Sequence, residues 1–207
     1  MKYMTKILCC NFIFIIILLS AQTYDFNKEV IYIFENGNRK SESIIYVNTK
    51  NDTYYLKIFR NEEKSFARLY DFKKNRIHHY DLIEIKGRND KFDLKYIDSE
   101  RYYDHLGMNY NSYGYEFLEN SGKNLLNIYQ TKKKKKIYKN FEFETEENEE
   151  NLFPAFRISC LHPFEYNNQL TFNKNVVVKK SKITYKENTC DCNLKKIENI
   201  NFTLNIP

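Results

Sequence analysis

In "KFDLKYI", Phe92, Leu94 and Tyr96 alternate with Asp93 and Lys95, and this two-residue rhythm recurs along most of the chain. A residue spacing of two gives a strand one buried face and one wet face, whereas a helix scatters it around its circumference. "VIYIFE", "SIIYV", "TYYLKIF", "SFARLYDF" and "RIHHYDLIEI" precede that segment; "YGYEFLE", "NLLNIYQ", "KIYKNFEFE", "KITYKE" and "INFTLNI" follow it. β-Branched and aromatic side chains dominate them, as a pleated surface prefers. Polar turns separate them, and Asn36-Gly37 predicts a tight hairpin because both residues tolerate positive φ. About ten to twelve short strands predict an all-β fold: a mainly antiparallel meander, a sandwich or an up-and-down barrel. One helical signal interrupts the ladder, in "SERYYDHLG", where Ser99 can cap and Gly107 can terminate a short helix. Repeated helices that could cover a parallel sheet are missing, which argues against a βαβ architecture.

The first residues set the compartment. Lys2 and Lys6 precede an apolar run from Ile7 to Leu19, broken only by Asn11. Thirteen helical residues rise about 20 Å, short of the roughly 30 Å hydrocarbon core, so the run suits a signal peptide better than a spanning helix. Ser20 and Ala21 supply small residues for cleavage after position 21. Residues 22–207 then form a single β-rich domain, secreted or periplasmic, with no transmembrane helix in the mature chain. Removing Lys2 and Lys6 lowers the formal net charge from +6 to +4. Charged residues on nearly every strand argue against an outer-membrane barrel, whose lipid-facing band must be apolar.

Export decides how the cysteines are read. Cys9 and Cys10 leave with the signal, and Cys160, Cys190 and Cys192 remain. Outside the cytoplasm a disulfide is the leading expectation. On an extended strand Cys190 and Cys192 share a face about 6.5 Å apart, beyond the roughly 3.8 Å Cβ spacing of a disulfide. Cys160 therefore pairs with one of them, closing a loop of about 30 residues. The alternative is a tetrahedral zinc site from Cys160, His162, Cys190 and Cys192, with Cys160 and His162 on one face of a strand. A Cys160–His162 nucleophile pair is a further, weaker reading. No cofactor is expected.

Tyr (18) and Phe (16) are abundant beside Lys, Asn and Ile, all residues with A/T-rich codons, so aromatic placement says more than aromatic number. "RYYDHLGMNYNSYGYEF" is the longest break in the strand rhythm. Its Tyr102, Tyr103, His105, Tyr110 and Tyr113 are candidate ligand-binding residues, since tyrosine joins an apolar ring to a polar tip. His78 and His79 fall on opposite faces of one strand with no metal-ligand spacing. The segment "TKKKKKIYKNFEFETEENEEN" balances six lysines with six glutamates, so it reads as a solvated turn whose charges offset one another. Nucleic-acid motifs are missing, as are G-x-S-x-G, H-E-x-x-H, P-loop and EF-hand signatures. The chain thus reads first as a non-enzymatic binding or envelope-interaction module for an envelope component, glycan or amphiphile. The alternative is a carrier with an amphiphile in a barrel or half-barrel cavity. A hydrolase using Asp104 and His105, or the cysteines, ranks last.

Overall fold

The computed structural model describes residues 22–37, 39–60, 65–84, 92–102, 113–120, 123–130, 136–161 and 172–206. The expected signal peptide, residues 1–21, lies outside them. The described chain is all-β apart from one short helix. Six strands lead: β1 (Gln22–Asn36), β2 (Arg39–Asn48), β3 (Asn51–Arg60), β4 (Ser65–Asp71), β5 (Arg76–Glu84) and β6 (Phe92–Arg101). Then come β7 (Gly114–Asn120), β8 (Lys123–Tyr129), β9 (Ile137–Glu147), helix α1 (Phe153–Cys160), β10 (Val176–Tyr185) and β11 (Asn188–Ile206). Every strand segment expected from the two-residue rhythm overlaps one of the eleven strands, most of them differing by a residue or two at an end.

All eleven strands join one antiparallel sheet in the order β6-β5-β4-β3-β2-β1-β11-β10-β9-β8-β7. Two meanders therefore meet where the first strand pairs with the last, from Gln22↔Ile206 to Glu35↔Asp191. Among the described residues no pairing joins β6 to β7, so the sheet is open. It is also strongly curved. Ile77 on β5 and Lys139 on β9 line one cavity, although they lie seven steps apart in the strand order. A flat sheet with about 4.8 Å per step would separate those strands by roughly 34 Å.

Helix α1 fills the hollow of that curve. Asn151 Oδ1 accepts a hydrogen bond from Phe153 N–H (3.2 Å), and Pro154 sits in the first turn, where its missing N–H costs nothing. Seven of its eight residues, Phe153 and Ala155 to Cys160, are buried, so the helix has no polar stripe to advertise it. Phe156 packs 5.8 Å from Tyr32 and 5.5 Å from Phe143. Tyr32 donates from its hydroxyl to Val178 O (2.9 Å) and is fully buried.

A second core lies on the opposite face. β11 carries extra residues against β1 between Phe26 and Lys28 and between Ile31 and Tyr32. Such bulges bend and twist a ribbon. The outer part of the β1:β11 ribbon leans over the face of β2 to β6, placing Tyr24 4.9 Å from Tyr54 and Phe26 5.6 Å from Tyr54. Tyr24 donates its hydroxyl to Asp71 Oδ2 (2.6 Å), and Gln22 Nε2 donates to the same oxygen (3.1 Å). Leu204 and Ile206 are buried while Thr203 and Asn205 are exposed, as their alternation in the sequence predicts.

Several expectations need correction. The β1–β2 pairing ends at Asn36↔Arg39, so Asn36 belongs to the strand and the turn begins after it, with Gly37 at φ +57°. Ser99, Glu100 and Arg101 complete β6, because Ser99 pairs with His78 and Glu100 with Ile77, so Ser99 caps no helix; Tyr102 is helical, and residues 103–107 of the expected helix lie outside the described residues. Cys160 ends α1 and so does not lie on a strand. Three glutamates of the charge run pair with lysines outside it, Glu147 with Lys174 (2.7 Å), Glu146 with Lys179 (3.2 Å) and Glu150 with Lys28 (2.5 Å), while residues 131–135 of the lysine turn lie outside the described residues. Among the described residues, no helix is long and apolar enough to cross a membrane.

Candidate functional site

Strands β3 and β4 carry mirrored patterns on the face that looks toward α1: Tyr55, Lys57 and Phe59 on one, Phe66, Arg68 and Tyr70 on the other. Antiparallel register sets them opposite one another as Tyr55↔Tyr70, Lys57↔Arg68 and Phe59↔Phe66. Both aromatic pairs stack, with centroids 4.8 and 4.7 Å apart and interplanar angles of 19° and 10°. The cations sit between the stacks. Arg68 Cζ lies 5.4 Å from the Phe59 centroid and 5.2 Å from that of Phe66, and Lys57 Nζ lies 5.4 Å from Phe59. Cation–π attraction of this kind is worth about 0.5–2 kcal/mol, the higher end where water is excluded.

Above this patch lies a cavity of about 760 Å³ between the curved sheet and the C-terminal end of α1. Its floor includes Tyr55, Lys57, Phe59, Arg68, Tyr70 and Ile77. Ile158 to Leu161 of the helix end form one side. Phe34, Ile183, Tyr185 and Cys190 close the other, with Lys139 beside them. The described lining contains no aspartate or glutamate.

Each cation is held differently. Lys57 donates to the carbonyls of Ile158 (3.3 Å) and Ser159 (3.5 Å), which gives the helix C-terminus a positive partner. Burial, reinforced by the Arg68 charge, brings the Lys57 ammonium down to about 8, so it still carries its proton at neutral pH. Arg68 stands beside the Tyr70 hydroxyl, whose pKa burial raises and the guanidinium partly restores. Arg68 Nε and Ser159 Oγ are buried and find no hydrogen-bond partner among the described residues. Lys139 is buried with its ammonium 5.8 Å from the Tyr138 ring and 5.9 Å from that of Tyr185.

The cysteines frame the same cavity. Cys160, at the end of α1, forms a disulfide with the buried Cys192 of β11, pinning the helix to the centre of the sheet. That bond takes two of the four ligands of the zinc alternative, and removes Cys160 as a nucleophile; His162 lies outside the described residues. Cys190 shares the face of Cys192, as an extended strand requires, and its thiol is free. Burial, with Asp191 second, pushes that thiol's pKa up, which disfavours a reactive thiolate.

The tyrosine cluster divides. Tyr102 is buried and lines the cavity, 6.1 Å from the Tyr70 ring and 5.4 Å from Phe72. Tyr113 packs on Tyr138 at 5.6 Å, half-buried at the edge of the same core. Tyr103, His105 and Tyr110 lie outside the described residues, as does Asp104. His79 bonds Glu100 (2.8 Å) on the face of Arg68, while His78 is buried on the opposite face beside Tyr24. The residues that sequence reasoning missed are Lys57 and Arg68. Their signal was present as two aromatic-x-basic-x-aromatic pentads, which become meaningful once a hairpin folds one upon the other. No protein-family model matches the chain, and a search of curated proteins finds no relative.

Proposed function

We propose that the protein is an exported carrier that holds one amphiphilic small molecule in the cavity between the sheet and α1. The observation that carries this reading is the cavity's size and wall. About 760 Å³ lies within the roughly 300–1,000 Å³ of small-molecule sites, and aromatic and aliphatic walls surround a few convergent polar groups. The Cys160–Cys192 disulfide supports export, since such bonds persist in oxidising compartments. A surface for an envelope partner, built from the tyrosine cluster, has less behind it: Tyr102 is buried and Tyr113 half-buried, and both serve the core.

The test is saturable binding of a fluorescent long-chain probe to the exported protein, followed by its displacement with unlabelled dodecanol. One-to-one binding that weakens when Thr189→Trp narrows the rim supports the carrier. Lack of saturable binding, together with an empty organic extract of the purified protein, defeats it.

A further inference from the structure

We infer that the cavity selects a single-chain anionic amphiphile, with Lys57 and Arg68 receiving its carboxylate or phosphate head. This rests on the carrier reading and deepens it by naming the ligand class.

Like charges directly opposite in a β-ladder repel and destabilise a sheet. Lys57 and Arg68 occupy such a pair inside a cavity wall, where water screens them less than at a surface. Neither has a carboxylate partner among the described residues, although Glu100 lies nearby on β6, engaged by His79. An anion between them removes the repulsion and supplies acceptors that the protein withholds. Arg68 Nε and Ser159 Oγ are buried donors without partners, and the carbonyls of Ile158 and Ser159 leave one Lys57 N–H unassigned. Leaving buried donors unpaired costs more than a hydrogen bond returns, so these two donors favour an acceptor between them.

The chain of the ligand also has a place. Phe59 and Phe66 stack beside the cations on one side, and Tyr55 and Tyr70 on the other. Ile77, Leu161 and Ile183 add further apolar wall to the same cavity. A charged head at Lys57 and Arg68 with an alkyl tail along this wall matches polar to polar and apolar to apolar. A neutral amphiphile fills the wall but leaves the cations facing each other.

Calorimetric titration of the full exported protein with dodecanoate, dodecyl phosphate and dodecanol tests the inference. At least one anion is expected to bind about tenfold or more tightly than dodecanol, the margin of a charge-assisted hydrogen bond over a neutral one. Arg68→Met should abolish that preference. The thermal midpoint of the ligand-free variant should not fall, which shows that the fold survives. If dodecanol binds as tightly as both anions, the anionic reading is overturned and the carrier reading stands. A preference that persists in both Arg68→Met and Lys57→Met also overturns it. If none of the three binds, both readings fail.

Discussion

Lys57 on β3 and Arg68 on β4 face each other directly across the ladder, two positive charges set between two stacked aromatic pairs. A fold selected for stability alone has no use for this arrangement. Arg68→Met removes the repulsion while keeping an unbranched apolar stem, and the ligand-free protein should gain a few tenths to about 1 kcal/mol. Calorimetric unfolding should register this as a rise of about 1–4 °C in Tm. A fall of that size would mean that the guanidinium's stacking on Phe59 and Phe66 outweighs the repulsion.

Alkaline pH should relieve the same pair from the other side. Lys57 titrates near 8 in the folded chain, against an ordinary 10.5, because burial and then Arg68 disfavour its charge. Between those values the unfolded chain holds a proton that the folded chain has released. Stability therefore rises with pH across that window. Burial raises the phenols of Tyr24, Tyr32, Tyr46 and Tyr80, so the unfolded chain ionises first above pH 10 and stability is lost there. Urea midpoints should climb from pH 8, peak near pH 10 and then fall. Lys57→Met should remove the climb and keep the fall.

Reduction should loosen the helix from the sheet. Cys160 and Cys192 close a loop with a sequence separation of 32, worth roughly 3–4 kcal/mol on chain-entropy grounds. Cys192→Ala should lower stability by that order. In unreduced protein consisting of residues 22–207, alkylation under denaturing conditions should modify Cys190 alone, and intact mass should be two daltons below the fully reduced value.

The terminal ribbon depends on Asp71. Its carboxylate is buried, accepts from Tyr24 and Gln22, and takes the Lys74 N–H (2.8 Å) in the β4–β5 turn. Tyr24→Phe leaves that carboxylate short of its closest donor and should cost about 1.5–3 kcal/mol. Hydrogen exchange should accelerate first in the outer halves of β1 and β11, where the ribbon leans on β3 and β4.

Acid should act at His78. Burial lowers its pKa, only partly opposed by Asp71, and neither ring nitrogen has a partner among the described residues. As pH falls below about 6.5 the unfolded chain takes up a proton that the folded imidazole resists, so stability present above that pH is lost on acidification. His78→Leu sacrifices no hydrogen bond and should flatten this part of the pH profile, measured as urea midpoint between pH 7 and pH 5.

The sequence alone determined the strands and their faces. Phe92, Leu94 and Tyr96 reveal their common side through nothing more than spacing, because a pleated chain turns alternate side chains the same way wherever it lies. Cys190 and Cys192 sharing a face follows from the same local geometry, and the Cβ spacing that face imposes makes pairing with Cys160 the expectation. Tertiary structure decided what no local rule encodes. Pairing of β1 with β11 closes contacts across nearly the full chain length, and curvature of the sheet carries Ile77 and Lys139 to one cavity. α1 was hidden because burial on every side erased the polar stripe by which a helix is read. Lys57 and Arg68 each look like an ordinary charge on a strand, and only the register of β3 against β4, under the end of α1, turns them into a pair.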